Sequence, residues 1–322
     1  MTRCLHLHVG LPKCGSTALQ GFLAANRQAL RQEGFDYPDL TGGAVGNLTP
    51  FVMSRRPEAE RIVFRHGHSG FDPEAAQAAL VRALEHPEAP NTILSAEGLS
   101  HPDHRFFPGG LLGGFDRIRI HIFFRPRPAW FVSHYCQAVR VGRYREDIGT
   151  VLDSPHFRDG IARMLRFAGH LEFWHRELGA ENVYPHFVSG GFSSPVQQFL
   201  SAIGSGLQET GPLFRNASLS AFETCALAHV ERRDQKDFLT RSEGLRALAA
   251  GFDPDPGAGL LTPEICSRIA ALFAEDTEAL LGLQTRIARS DLEPDMSALT
   301  ARATSFAEIR KTQAFSAFLD AL

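Results

Sequence analysis

Short runs of alternating apolar and polar residues punctuate the chain. In "CLHLHVG", Leu5, Leu7 and Val9 alternate with His6 and His8, the period of a β-strand. From Ser16 the apolar positions shift to Leu19, Phe22, Leu23 and Leu30, a helical stripe interrupted only by Asn26 and ended by Gly34 and Pro38. The opening therefore reads strand, glycine loop, helix. Residues 41–72, rich in Gly, Pro, Arg and His, read as irregular chain with one short helix. "DPEAAQAALVRALEH", Asp72 to His86, predicts a helix with Pro73 in its first turn and acids at its start. "NTILSAEG" predicts a strand ending at Glu97, and "RIRIHIFF", Arg117 to Phe124, another. Pro128 then opens a helix carrying Trp130, Phe131, Tyr135 and Ala138. Residues 155–179 predict one longer helix through Phe157, Ile161, Leu165, Ala168, Leu171 and Trp174. "NVYPHFV" reads as a strand, and from about Pro195 the pattern is helices broken by loops such as "GFDPDPGAGLLTPE".

Strands alternating with helices predict an α/β fold, a parallel sheet with helices on its faces. No repeat, low-complexity tract or interdomain linker stands out. The expectation is one domain over residues 1–322, with a mostly helical C-terminal subdomain over about 210–322.

Composition narrows the function classes. Of 322 residues, 43% are hydrophobic and 21% charged, ordinary for a globular protein with a sizeable core. The net charge of −3 offers no general trap for polyanions. No nucleic-acid partner is expected, and any anion must be held by a local cluster. No 18-residue apolar run predicts a membrane span, and "MTRCLHLHVG" lacks the apolar core of a signal peptide. Five cysteines, Cys4, Cys14, Cys136, Cys225 and Cys266, are scattered and never form C-x-x-C, which argues against a disulfide scaffold or zinc site. A reducing cytoplasm is the expected location.

The chemistry concentrates where strands end. "HVGLPKCGSTALQ" has Gly10 and Gly15 five apart, then Ser16 and Thr17. A strand-to-helix loop of this kind offers backbone N–H groups and the positive end of a helix dipole to an anion, and glycine lets the backbone come close. A nucleotide kinase places its lysine directly after the second glycine. Here that slot is Ser16 and the lysine, Lys13, precedes Gly15. No apolar strand ends in an obvious magnesium-holding aspartate. A phosphosulfate anhydride carries less charge than a triphosphate, and one lysine within the loop can neutralise its bridging oxygen without a metal.

"GLPKCGST" resembles the 5′-phosphosulfate loop of the sulfotransferase family, whose usual form is P-K-x-G-[TS]-[TS]. The resemblance implies a P-loop-type fold and 3′-phosphoadenosine-5′-phosphosulfate as donor. It assigns Lys13, Cys14, Gly15, Ser16 and Thr17 to donor binding and implies adenosine 3′,5′-bisphosphate as product, with no metal. The family's second signature is an arginine at a strand end and a serine eight residues later, for the 3′-phosphate. "FFRPRPAWFVSHY" supplies Arg125 and Ser133 at that spacing. An arginine there opens toward the crevice of an α/β sheet and grips phosphate with two parallel hydrogen bonds. Arg127, two residues on, is given no role. A third, weaker echo is "LFRNASLS": bacterial members carry a similar Asn-x-Ser-Leu-Ser stretch, and Arg215 is the candidate for a further donor contact. Its plainer reading is a loop arginine before a helix capped by Ser218 or Ser220.

Sulfuryl transfer to a hydroxyl needs a base, and Glu97 stands at the end of a strand expected to neighbour the first. Carbohydrate sulfotransferases of the family commonly use a glutamate at a comparable strand end. The plainer reading of Glu97 is a structural carboxylate paired with Lys13 or Arg125. Histidine is the rival base; among 14 histidines, His66, His68, His101 and His104 fall in loops, while His6 and His8 share a strand face and read as packing. Phe106 and Phe107 either line an acceptor pocket or plug their loop. Arg140, Arg143 and Arg145 read as solvated surface, useful to an anionic polysaccharide acceptor. The expected function is sulfuryl transfer to the hydroxyl of a small-molecule or carbohydrate acceptor. Two alternatives stand beside it: a nucleoside triphosphate-dependent phosphotransferase with an atypical loop, and a nucleotide-binding module without catalysis.

Overall fold

A computed structural model describes residues 2–40, 46–54, 72–100, 113–188, 194–209, 219–230, 235–283 and 286–322. Among the described residues there are five strands: β1 (Cys4–Gly10), β2 (Phe35–Asp36), β3 (Asn91–Ala96), β4 (Arg117–Phe124) and β5 (Val183–Phe187). All neighbours pair in parallel, in the order β2-β3-β1-β4-β5. The helices of the first half are α1 (Ser16–Ala25), α2 (Arg27–Gln32), α3 (Thr49–Ser54), α4 (Pro73–Glu85) and α5 (Arg127–Arg140). Then come α6 (Ile148–Asp153), α7 (Ala162–Leu165), α8 (Phe167–Leu178), α9 (Pro195–Ile203), α10 (Ala221–His229), α11 (Gln235–Phe252), α12 (Pro263–Leu272) and α13 (Ala274–Leu283), with four shorter helices after them. The fold is α/β, a parallel sheet flanked by helices. Among the described residues no helix is long and apolar enough to cross a membrane.

The chain forms two compact units. One comprises residues 1–125, 167–215 and 279–288 and contains the sheet; the other comprises 126–166, 216–278 and 289–322.

Within the first unit the pleat sorts residues onto two buried faces. Leu5, Leu7, Val9, Leu94, Ala96, Ile120, Ile122, Phe124 and Val183 are buried on one. There Phe124 meets Phe167 of α8, ring centroids 4.6 Å apart. The opposite face carries His6, His8, Ser95, His121, Phe123 and His186. Phe199 of α9 covers it, 6.3 Å from His8 and 5.0 Å from His121 between ring centroids. The alternation in the sequence is therefore apolar against imidazole, not apolar against solvent.

Three local features depart from the sequence reading. The first helical stripe is two helices: Asn26 leaves helical geometry and its Nδ2 donates back to the Phe22 carbonyl at 2.8 Å. The two-residue strand β2 is too short to leave a periodic signal. The long helix expected over 155–179 is a π-helical turn (Phe157–Ile161), then α7, a break at Arg166 and α8. Its apolar residues keep helical spacing across the break, which hides it.

In the second unit Arg127 is buried. Its guanidinium pairs with the Asp276 carboxylate, donates to Thr277 Oγ1 and the Leu165 carbonyl, both at 2.9 Å, and lies 5.3 Å from the Phe273 ring centroid. Ser220 caps α10 in a reciprocal capping box with Glu223, as one of its two sequence readings anticipates. Arg140 pairs with Glu243, while Arg143 and Arg145 are exposed.

A candidate anion-binding and transfer site

The strand register brings three chain reversals to one edge. Val9 pairs with Ala96 and Gly10 with Phe123, so β1, β3 and β4 end level. The loop after β1 carries Lys13, Glu97 directly follows β3, and Arg125 directly follows β4. The connection after β1 leads toward β2 and the one after β4 toward β5, on opposite sides of the sheet. Adjacent parallel strands whose connections diverge open a crevice at their C-terminal ends. All three residues belong to the first unit.

The loop is tightly built. Lys13 sits at φ 67°, the one non-glycine residue with positive φ among the described residues, and Gly15 follows at φ 87°. A left-handed lysine costs roughly 1–2 kcal/mol, and such strain concentrates at functional sites. A Cβ on Gly15 would lie 2.4 Å from Pro195 Cγ, and one on Gly10 would lie 2.3 Å from Ser16 Oγ. Both positions exclude any larger residue without a shift.

Helix α1 starts at Ser16 with no side-chain cap and no acid in its first turn. Its first amides have no intrahelical acceptor by construction. Ser16 is 2% exposed and its hydroxyl closes no hydrogen bond among the described residues. Thr17 is exposed, and Cys14 turns a buried thiol into the interior. The loop thus pairs an uncapped helix start with a buried, orphaned hydroxyl, a donor set suited to an anion's oxygens.

Glu97 opens a 3-10 turn, Glu97–Ser100, and is half-buried. Burial raises its carboxyl pKa above the ordinary glutamate value, while the Ser16 hydroxyl and the Lys13 ammonium favour the ionised form. Ser16 acts here through proximity, since its Oγ closes no hydrogen bond. The Cys14 thiol is pushed well up by burial, against the pull of Arg125 and with the push of Glu97. Lys13, Cys14, Ser16, Glu97 and Arg125 thus form one electrostatic cluster. Ser133 lies half-buried on α5 in the second unit. Arg215, Ser218, His66, His68, His101, His104, Phe106 and Phe107 lie outside the described residues.

Beneath the loop runs a chain of imidazoles unseen in the sequence reading. His6 Nδ1 lies 3.1 Å from His121 Nε2, and His121 Nδ1 lies 3.2 Å from His186 Nε2. His8 Nδ1 lies 2.8 Å from Ser95 Oγ, which also accepts from Gln20 Nε2 at 3.0 Å. Burial lowers the pKa of His6 and of His186 to about 4 and of His8 to about 3. It takes His121 well below the ordinary value, with neighbouring His186, His6, His8 and Arg119 adding to the effect. All four are neutral at pH 7. The available signal was that each falls on the polar-parity positions of its strand.

No family model matches the chain, and no curated protein matches it. Among solved structures it is similar to a sulfotransferase from Alicyclobacillus acidocaldarius, at 14% identity and a TM-score of 0.46, over 97% of this chain and 100% of that one. A likeness at that level does not bear on substrate or on individual residues.

Proposed function

We propose that the chain is a sulfotransferase that moves a sulfuryl group from 3′-phosphoadenosine-5′-phosphosulfate to an acceptor hydroxyl. The observation that carries the reading is the convergence of Lys13, Glu97 and Arg125 on three adjacent strand ends around an uncapped helix start with an orphaned Ser16 hydroxyl. The loop amides and Ser16 suit the 5′-phosphosulfate, and the arginine–serine spacing of the second motif assigns the 3′-phosphate to Arg125.

In this reading Glu97 takes the acceptor's proton. The acceptor oxygen forms a new bond to sulfur while the sulfur–bridging oxygen bond breaks. Its electron pair stays on the departing 5′-phosphate, which leaves as adenosine 3′,5′-bisphosphate. Lys13 and the α1 amides stabilise that charge, the kind of contribution worth roughly 10²–10³ in rate per donor. Burial gives the carboxylate more basicity than an exposed glutamate, and the Lys13 charge keeps it ionised. A carbohydrate hydroxyl is the acceptor that the glutamate base of the resembling enzymes favours.

Thermal denaturation with adenosine 3′,5′-bisphosphate, beside ATP with magnesium, tests the donor class. A metal-independent rise in Tm with the bisphosphate is expected. Stabilisation by ATP–magnesium alone would assign the site to a phosphotransferase. Binding without sulfation of any acceptor in a panel of sugars, alcohols and phenols would favour a module without catalysis.

A further inference from the structure

β2 pairs only Phe35 and Asp36 with Asn91 and Thr92 of β3. Past that point the outer edge of β3 still presents the Ile93 carbonyl and both main-chain groups of Ser95, which as buried polar groups need partners. Asn47, itself 1% exposed, supplies them from its side chain. Its Oδ1 accepts from the Ser95 amide at 2.8 Å, and its Nδ2 donates to the Ile93 carbonyl at 3.1 Å. A backbone residue paired with Leu94 in a parallel ladder would bond the same two neighbours. The Asn47 carboxamide thus stands in for one residue of a strand that β2 does not provide. Leu48 continues the edge with its backbone, its amide donating to the Ser95 carbonyl at 3.1 Å.

The neighbours fix which way the carboxamide points. Nδ2 also donates to the Pro38 carbonyl at 3.1 Å, so the nitrogen faces two carbonyl oxygens while the oxygen faces an N–H. Turned over, the group would set its oxygen against two acceptors and its nitrogen against a donor. The Asn47 amide itself donates to Tyr37 Oη at 3.4 Å. Gly46 lets the chain come this close, since a Cβ there would lie 2.4 Å from the Ser95 carbonyl oxygen. From Leu48 the chain enters α3, whose Phe51 and Val52 are buried. Helix α3 packs against the 3-10 turn Glu97–Ser100, in which Leu99 is buried.

We propose that Asn47 is a positioning residue for Glu97. Ser95 lies two residues before the glutamate, at the end of the strand that carries it. Its main chain is gripped from the outer edge by Asn47 and Leu48, and its hydroxyl meets Gln20 and His8. On the inner side Ala96 pairs with Val9, which leads into the Lys13 loop. Removing the carboxamide takes away the outer hold on the Ser95 amide and the tether of α3 to the strand. The Glu97 turn then loses its single placement beside that loop. The catalytic meaning of the inference rests on the reading of Glu97 as base; the completed strand edge does not.

The test uses the full chain carrying Asn47→Ala. Exchange of the Ser95 amide should quicken by about tenfold, the fold-change that one hydrogen bond's net worth converts to, while the β1 amides stay protected. The carboxyl carbon-13 resonance of Glu97, assigned by its loss in Glu97→Gln, should move or split. Turnover is measured with 3′-phosphoadenosine-5′-phosphosulfate and whichever sugar, alcohol or phenol the wild type sulfates fastest. There kcat should fall by roughly 10–100-fold, the scale of a misplaced reacting group, with the affinity for adenosine 3′,5′-bisphosphate unchanged. Leu171→Ala, a buried cavity in α8, is the control for lost stability and should move none of these readouts. A Glu97 resonance left in place in folded Asn47→Ala overturns the proposal, and so does an equal change in Leu171→Ala. Should Asn47→Ala fail to fold, Asn47→Asp carries the same readouts, because a carboxylate accepts from Ser95 but cannot donate to Ile93 or Pro38. A wild type that sulfates nothing and binds no bisphosphate would sink the functional reading, and the Glu97 resonance would then decide this one.

Discussion

Lowering the pH should destabilise this protein steeply, and the sheet supplies the magnitude. Four imidazoles share one buried face: His6 and His186 have pKa values of about 4 and His8 of about 3 in the folded chain, and burial holds His121 well below the ordinary value, against about 6.5 in an unfolded chain. A base with a depressed folded pKa binds fewer protons folded than unfolded. Its stabilising contribution is complete well above pH 6.5 and is lost as the pH falls toward the folded value. Over that window each group costs about 1.4 kcal/mol per pH unit. Four groups acting together cost roughly 5 kcal/mol at pH 5.5, as much as the entire stability of a marginal domain. Glu97 works the other way, because its raised pKa favours folding at low pH, but it is one group against four. Urea unfolding followed by circular dichroism at pH 7.5, 6.5 and 5.5, with histidine proton resonances recorded in parallel, measures both sides. The midpoint should fall modestly between pH 7.5 and 6.5, by the equivalent of roughly 1–2 kcal/mol, and sharply by 5.5, while the four imidazoles show no titration in the folded protein. A flat midpoint down to pH 5.5, or folded-state titration near pH 6.5, would refute the account.

Three further outcomes follow from named geometry. Lys13→Gly removes both a left-handed side chain and the loop charge, so stability should rise by about 1 kcal/mol in urea unfolding while sulfuryl transfer falls by 10² or more; loss of stability, or retained turnover, contradicts the strain and the role. Gly15→Ala forces a Cβ to 2.4 Å from Pro195 at φ 87°, and should cost at least about 1 kcal/mol and weaken adenosine 3′,5′-bisphosphate binding measured by calorimetry. Asp276→Asn removes the charge of the carboxylate paired with a buried guanidinium and should cost about 3–5 kcal/mol, read as a fall in urea midpoint; a change within experimental error would show that the other groups around Arg127, Thr277 and the Leu165 carbonyl among them, suffice to hold it.

Much of the sheet could be read from the chain because three strands alternate clearly and each runs into a residue with chemistry. Motifs mark Lys13 and Arg125, and its place at a strand end marks Glu97; parallel pairing in register puts residues at such positions on one edge. What alternation cannot give is the identity of the neighbour across the pleat. His6 and His8 read as packing, which their burial bears out. Their link to Ser95, and the line from His6 through His121 to His186, depend on contacts between residues as much as 115 positions apart. Arg127 carries no signal in the sequence for a similar reason: its partner Asp276 is 149 residues away. The break at Arg166 escaped because the apolar spacing of Phe157, Ile161 and Leu165 continues in phase through Ala168 and Leu171, and periodicity sees side chains rather than dihedral angles.

The inward turn of Cys14 has a practical consequence for the chemistry of the loop. Alkylating and oxidising reagents attack the thiolate, and a thiol sealed from solvent with its ionisation suppressed offers almost none. A sulfenic acid should therefore form slowly there, so peroxide exposure leaves the lysine-bearing turn chemically intact. Maleimide labelling in the native state should instead favour Cys266, the half-buried member of the five.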